Sequence, residues 1–229
     1  MKSIVIKIGG HILSSTAFER LLHEYNNIIR ELISKGFKAY IVVGGGEYAR
    51  RLISVARSLG ATEAFCDEIG IWVSRLNANL MVAALKDLAY PRVPQSYEEL
   101  KDLITRPEKV IVCGGLQPGQ STTAVAALIS ELTSSPLIIA TDVDGVYSSD
   151  PKLDPTAKRI EELSYQDLAQ LLYHGAALAG TFKLFDQVSL KIIERSRIVV
   201  QVVNGGVPQN VLRAALGMRV GSIIKPTKN

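Results

Sequence analysis

Cysteine is scarce in this chain. Cys66 and Cys113 are the only two in 229 residues, so no framework of disulfide bridges holds the fold together, and the thiols read as reduced. Three scattered histidines, His11, His23 and His174, offer no metal-ligand spacing with them, and no metal site of the protein's own is expected. No apolar run approaches the roughly 20 residues needed to cross a membrane. The segment Met1-Lys2-Ser3 leads into a short apolar strand without the apolar core and cleavage site of a secretory signal. A soluble, cytoplasmic protein with no membrane partner is expected. The formal charge is +4, but the basic residues form no long run and are not interleaved with aromatics. Anionic small molecules are therefore expected as partners rather than nucleic acid. G-x-S-x-G, H-E-x-x-H and the protein-kinase catalytic loop are all missing, which argues against esterases, zinc proteases and the protein-kinase fold. Internal repeats, low-complexity tracts and long linkers are lacking too.

What is present is an alternation of short apolar runs with helical patterns. Strands are expected at 3–8, 39–43, 109–113, 136–140 and 198–203, with a last helix and strand between 210 and 224. Helices are expected at 17–35, 47–59, 62–88, 97–104, 122–132, 164–173 and 187–195. Such alternation predicts a mostly parallel sheet covered on both faces, an α/β three-layer αβα sandwich, as one domain or two lobes sharing the sheet. The segment 225–229 reads as a solvated tail. In such sheets ligands gather beyond the carboxyl ends of the strands, and every loop rich in glycine or aspartate follows a strand there. The sites should share one edge.

Two of those loops carry the chemistry. Gly44-Gly45-Gly46 follows Ala39–Val43, and Gly114-Gly115-Leu116-Gln117-Pro118-Gly119-Gln120-Ser121-Thr122 follows Lys109–Cys113. Glycine admits positive φ and close approach, and the next helix presents unpaired N–H groups, so either loop can cradle a phosphate. One cradle suggests binding; two suggest transfer.

Gly44-Gly45-Gly46-Glu47-Tyr48-Ala49 satisfies the dinucleotide fingerprint G-x-G-x-x-A, with Glu63 near the expected acid, but the segment beyond Gly60 reads as helix where the fingerprint needs a strand. Arg50 and Arg51, so close to a helix start, oppose the dipole and point to an anion. The second loop is one residue from a P-loop: Gln120 stands where lysine is required, which favours a monophosphate over a triphosphate there. Lys7 interrupts an apolar strand before Gly9-Gly10 and is the candidate for the missing cation, because a lysine in a buried strand must reach water or a counter-ion. Phosphoryl transfer needs positioning, backbone donors, lysine and magnesium more than a nucleophile, so the motifs are consistent with it.

Lys7-Ile-Gly-Gly, Val43-Gly44-Gly45-Gly46 and Thr141-Asp-Val-Asp144-Gly145-Val-Tyr147 with Asp150-Pro151 together resemble the amino acid kinase family. Ala49-Arg50-Arg51, the segments 69–78 and 94–96, and Gly115 to Thr122 are similar to the archaeal group of uridylate kinases within it. The resemblance runs from Lys7 to about Lys191. It implies an amino-terminal acceptor lobe, about 1–135, and a carboxy-terminal ATP lobe, about 136–229. It also implies transfer from MgATP to UMP, with Mg2+ brought by ATP. In that scheme Lys7 is catalytic, and Gly9, Gly10, Gly46 and Arg50 hold ATP phosphates. Thr141, Asp142, Tyr147 and Asp150 border the adenine and ribose. Gly45, Asp67, Gly115, Leu116, Gln117, Pro118, Gly119, Gln120 and Ser121 surround UMP. A homohexamer built from dimers and restraint by UTP are implied by similarity alone.

The chain departs from the family pattern at Asp142, where asparagine is usual, and at Gln187, where proline is common. Asp186 falls where members acting on amino acids supply a lysine, leaving Lys183 and Lys191 as alternatives for a second cation. Rival readings are a kinase of the same family acting on a carboxylate or isopentenyl phosphate, a non-catalytic nucleotide-binding protein, and a dehydrogenase resting on the fingerprint alone.

Overall fold

The computed structural model describes residues 2–12, 17–151, 153–173 and 184–227. Seven strands form the central sheet in the order β3-β2-β1-β4-β8-β9-β7. They are β1 (Lys2–Ile8), β2 (Phe37–Val43), β3 (Val110–Cys113), β4 (Leu137–Thr141), β7 (Glu162–Leu163), β8 (Val200–Asn204) and β9 (Ser222–Ile224). Pairing is parallel from β3 to β8, while β9 runs antiparallel to β8 and parallel to β7. A separate antiparallel pair, β5 (Val146–Tyr147) and β6 (Arg159–Ile160), lies in the connection after β4.

Eight α-helices are described: α1 (Phe18–Ser34), α2 (Gly46–Ser58), α3 (Glu63–Leu85), α4 (Tyr97–Ile104), α5 (Thr122–Thr133), α6 (Tyr165–Tyr173), α7 (Gln187–Arg195) and α8 (Pro208–Ala215). The period of two along each strand sorts them into layers. Ile4, Ile6 and Ile8 of β1 pack with Ile29 and Leu32 of α1, Met81 and Leu85 of α3, and Val211 of α8. Val5, with Tyr40 and Val42 of β2, packs on the opposite face with Val125 of α5, Leu100 of α4 and Ile193 of α7. Lys7 shares parity with Val5 and so lies on the α5 side.

The three-layer α/β architecture and most element bounds agree with the sequence reading. The short strands β5, β6 and β7 were not expected, because two-residue strands carry no readable periodicity. The carboxy-terminal segment 225–227 is no free tail: the Lys225 N–H donates to the Leu163 carbonyl at 3.1 Å, and its ammonium lies 2.7 Å from Glu162. Continuation of β9 past β7 draws the chain in.

Candidate active site

Beyond the carboxyl ends of β1, β2, β3 and β4 the loops converge on two adjacent cavities. The larger, about 610 Å3, is lined by Lys7, Gly10, His11, Gly44–Gly46, Arg50, Thr141, Asp142 and Asp150, among others. The smaller, about 170 Å3, takes Asp67, Ser74, Gly115, Gln117 and Gln120. Ile53, Gly70, Ser121 and Thr122 line both, so the two volumes share a wall.

Loop closeness has a steric cause. A Cβ on Gly10 would meet the Gly46 nitrogen at 2.1 Å and the Gly44 carbonyl oxygen at 2.5 Å, so any larger residue would drive the loops after β1 and β2 apart. Gly46 opens α2 at φ 70°, a conformation that L side chains disfavour. Asn77 of α3 is buried and donates to the carbonyls of Gly44 (2.9 Å) and Gly45 (3.3 Å), which ties that loop to the helix.

Helix α3 braces the loop after β3 as well. The Gly115 N–H donates to Ser74 Oγ at 2.8 Å, and the Gly119 N–H donates to Asp67 Oδ2 at 2.8 Å. The Arg75 guanidinium donates to the carbonyls of Gly115, Gln95 and Leu116 at 2.9, 2.7 and 3.1 Å. Ser121 caps α5 by accepting the Ala124 N–H at 3.0 Å. Its hydroxyl donates to Asp186, which caps α7 through the N–H groups of Val188 and Ser189.

Lys7 is 6% exposed, and burial pulls its ammonium down to about 8, against the partial opposition of the Asp142 carboxylate. Among the described residues no hydrogen bond from the ammonium is found. His11 Nε2 lies 3.1 Å from Asp142 Oδ1, a charge contact without hydrogen-bond alignment.

The larger cavity thus gathers Lys7, expected to be catalytic, with Gly10, Gly46, Arg50, Thr141, Asp142 and Asp150, expected at the donor. Gly45, expected at the acceptor, lines this same cavity. Asp67, Gly115, Gln117, Gln120 and Ser121 meet around the smaller one. Gly9, Leu116, Pro118, Gly119 and Tyr147 line neither, although Leu116, Pro118 and Gly119 belong to the braced loop. Of the two alternatives for a second cation, Lys191 is exposed on α7 and lines neither cavity, and Lys183 lies outside the described residues.

Sequence reasoning passed over His11, Ile53, Gly70, Ser74 and Asn77. A signal did exist for two of them: Ser74 and Asn77 stand three apart on the sheet-facing stripe of α3 beside buried Ala78 and Met81, and polar residues on such a stripe need partners. The expected dinucleotide acid, Glu63, instead pairs with Arg57 at 2.6 Å, and the segment after Gly60 is helical, which removes the fingerprint.

Residues 2–204 match the model of the amino acid kinase family. The chain belongs to the amino acid kinase family. The uridylate kinase of Hyperthermus butylicus is 43% identical over 222 residues, 96% of this chain and 97% of that protein. The uridylate kinase of Methanoculleus marisnigri is 42% identical, over 98% of this chain and 96% of that one. Among amino acid kinase structures, the uridylate kinase from Archaeoglobus fulgidus superposes with a TM-score of 0.84 at 39% identity, covering 98% of this chain and all of the other. UMP kinase from Bacillus anthracis, at 22% identity and a TM-score of 0.81, shares the amino acid kinase fold.

Proposed function

We propose that this protein transfers the terminal phosphoryl group of MgATP to UMP, giving ADP and UDP. The observation that carries the reading is the shared wall between the two cavities, with the buried Lys7 lining the larger one. Two phosphate sites that meet at Ser121 and Thr122 put donor and acceptor within reach of an in-line displacement. The uridylate kinases similar over nearly the whole chain support the choice of acceptor.

In this reading ATP occupies the larger cavity, its phosphates over Gly9, Gly10, Gly46 and Arg50 and its adenosine beside Thr141, Asp142, Tyr147 and Asp150. UMP occupies the smaller one, with Asp67 at the ribose hydroxyls and the loop 115–121 around it, Gly45 standing between the two. The lobe division at about residue 135 follows the same split. Lys7 stabilises the charge that builds on the transferring group. Backbone N–H groups and lysine suit phosphate oxygens, so Mg2+ would arrive on ATP, where it neutralises the phosphate charge. Gln120 in place of a P-loop lysine fits an acceptor with one phosphate.

A homohexamer, restraint by UTP and a cytoplasmic location complete the proposal. No described helix is long and apolar enough to cross a membrane. Leu52 and Val55 of α2, Leu59 just beyond its end, and Trp72 and Leu76 of α3 are each at least half exposed, apolar area that self-association would cover. Product analysis after mixing the protein with MgATP and each nucleoside monophosphate decides the matter. UDP should form in preference to every other product, and faster transfer to a carboxylate or to another monophosphate overturns the assignment.

A further inference from the structure

Helix α3 carries a glycine that the fold does not require. Gly70 lies well inside this 23-residue helix, where only proline disfavours the conformation more and alanine would be the more stable choice. Every other described glycine has a local reason: either its φ is positive, or a Cβ placed on it would come within 3.1 Å of a neighbouring atom. Gly70 has neither. A Cβ there would meet nothing nearer than the Ile53 Cδ1 at 3.5 Å, an ordinary van der Waals contact.

The space that this side chain would fill belongs to the cavities. Gly70 lines both of them, with Ile53, Ser121 and Thr122, and so stands in the shared wall. It is part of the stripe Asp67, Gly70, Ile71 and Ser74, at helical spacing, that forms the α3 side of the smaller cavity. That stripe is fixed against the loop after β3, because Asp67 accepts the Gly119 N–H and Ser74 the Gly115 N–H, each at 2.8 Å. The loop after β2 lies close as well: a Cβ on Gly45 would fall 3.3 Å from the Gly70 carbonyl oxygen. Held between two loops, the helix backbone has little room to retreat, and an added methyl would enter the wall between the cavities.

We propose that Gly70 keeps open the passage between the two cavities, through which the phosphate of the acceptor comes into line with the terminal phosphate of the donor. The proposal rests on the reading of the larger cavity as the donor site and the smaller as the acceptor site. A side chain at position 70 narrows the passage without removing a group that holds either nucleotide. Its effect therefore falls on the transfer step, where a displacement of about 1 Å costs about 100-fold.

The test compares the intact wild type with Gly70→Ala and Gly70→Val in steady-state UDP formation from MgATP and UMP, with urea unfolding of all three. Gly70→Ala is expected to raise the urea midpoint and to lower kcat about 30- to 100-fold, while KM for each nucleotide stays within about threefold. Valine is bulkier and a weaker helix former, so Gly70→Val should unfold at a lower midpoint than Gly70→Ala and yet be slower still. A loss that follows side-chain size and not stability distinguishes a filled passage from a stiffened helix. Unchanged kcat in Gly70→Ala, a loss confined to KM for one nucleotide, or a Gly70→Val faster than Gly70→Ala overturns the proposal. So does an alanine variant less stable than the wild type, since the fold itself would then require the glycine. Wild-type protein that forms no UDP refutes the assignment of the two cavities and this proposal with it, whereas UDP formation by the wild type beside an unimpaired Gly70→Ala refutes this proposal alone.

Discussion

Among the described residues, each end of the central sheet holds one buried lysine, and the two are held in opposite ways. Near the amino end of β2, Lys38 is 7% exposed, and its ammonium donates to the carbonyls of Ile104 (2.9 Å) and Arg106 (2.6 Å), where α4 runs out. It closes a helix terminus whose carbonyls would otherwise lack partners. Near the carboxyl end of β1, Lys7 is 6% exposed and, among the described residues, has the charge of Asp142 beside it but no hydrogen bond. Burial lowers the pKa of both. The contrast separates a lysine that the fold uses from one that the fold merely tolerates. Burial of an ammonium costs stability, and the anionic ligand proposed for this cavity would offset that cost.

Substitution at the two lysines should break this comparison most sharply. Lys7→Met is expected to lower kcat for UDP formation by about 100-fold or more while leaving the melting temperature unchanged or raised, since a desolvated charge is replaced by an apolar chain of similar length. Retained activity, or a collapse of the fold, would show that Lys7 is structural like its counterpart. Lys38→Met should do the reverse: a loss of about 1–3 kcal/mol in urea unfolding from two carbonyls left without donors, with kcat little changed.

Acidity sharpens the comparison. Below about pH 8 Lys7 is protonated in both folded and unfolded chains, and the cost of its burial is fully present. Between about 8 and the ordinary lysine value near 10.4 the folded protein releases the proton while the unfolded chain keeps it, so the stability contributed by this group rises with pH. Catalysis moves the other way, and kcat/KM for ATP should fall about tenfold per pH unit above about 8. Subtracting the urea midpoints of Lys7→Met from those of the wild type across pH 7–10 isolates the first effect, and steady-state rates over the same range read the second. Parallel rather than opposed trends would contradict the role given to Lys7.

The smallest expected effect concerns the bracing of the acceptor loop. Ser74→Ala leaves the Gly115 N–H without its acceptor and is expected to raise KM for UMP about three- to tenfold, with KM for ATP nearly constant. Equal changes in both would mean that the two cavities do not divide the substrates as proposed.

The pattern of strands, helices and glycine turns was legible in the chain because apolar periodicity and a need for positive φ are local properties. Lys7 in an apolar strand and Gln120 in a near P-loop were likewise visible as departures from local rules. Other parts of the site were not. Asp186, which the family resemblance places at the position of a lysine, caps α7 and receives the Ser121 hydroxyl from 65 residues away. Asp67 receives the Gly119 N–H across 52 residues, and Asn77 reaches back 33 residues to the Gly44 carbonyl.

By itself, then, the sequence determined where the chain runs straight, coils and turns, and which end of the sheet would gather the glycine-rich loops, since backbone sterics and apolar spacing act within a few residues. The tertiary structure alone decided which polar group meets which. The partner of a buried donor or acceptor is set by packing between distant segments, and nothing in either residue's own neighbourhood announces it.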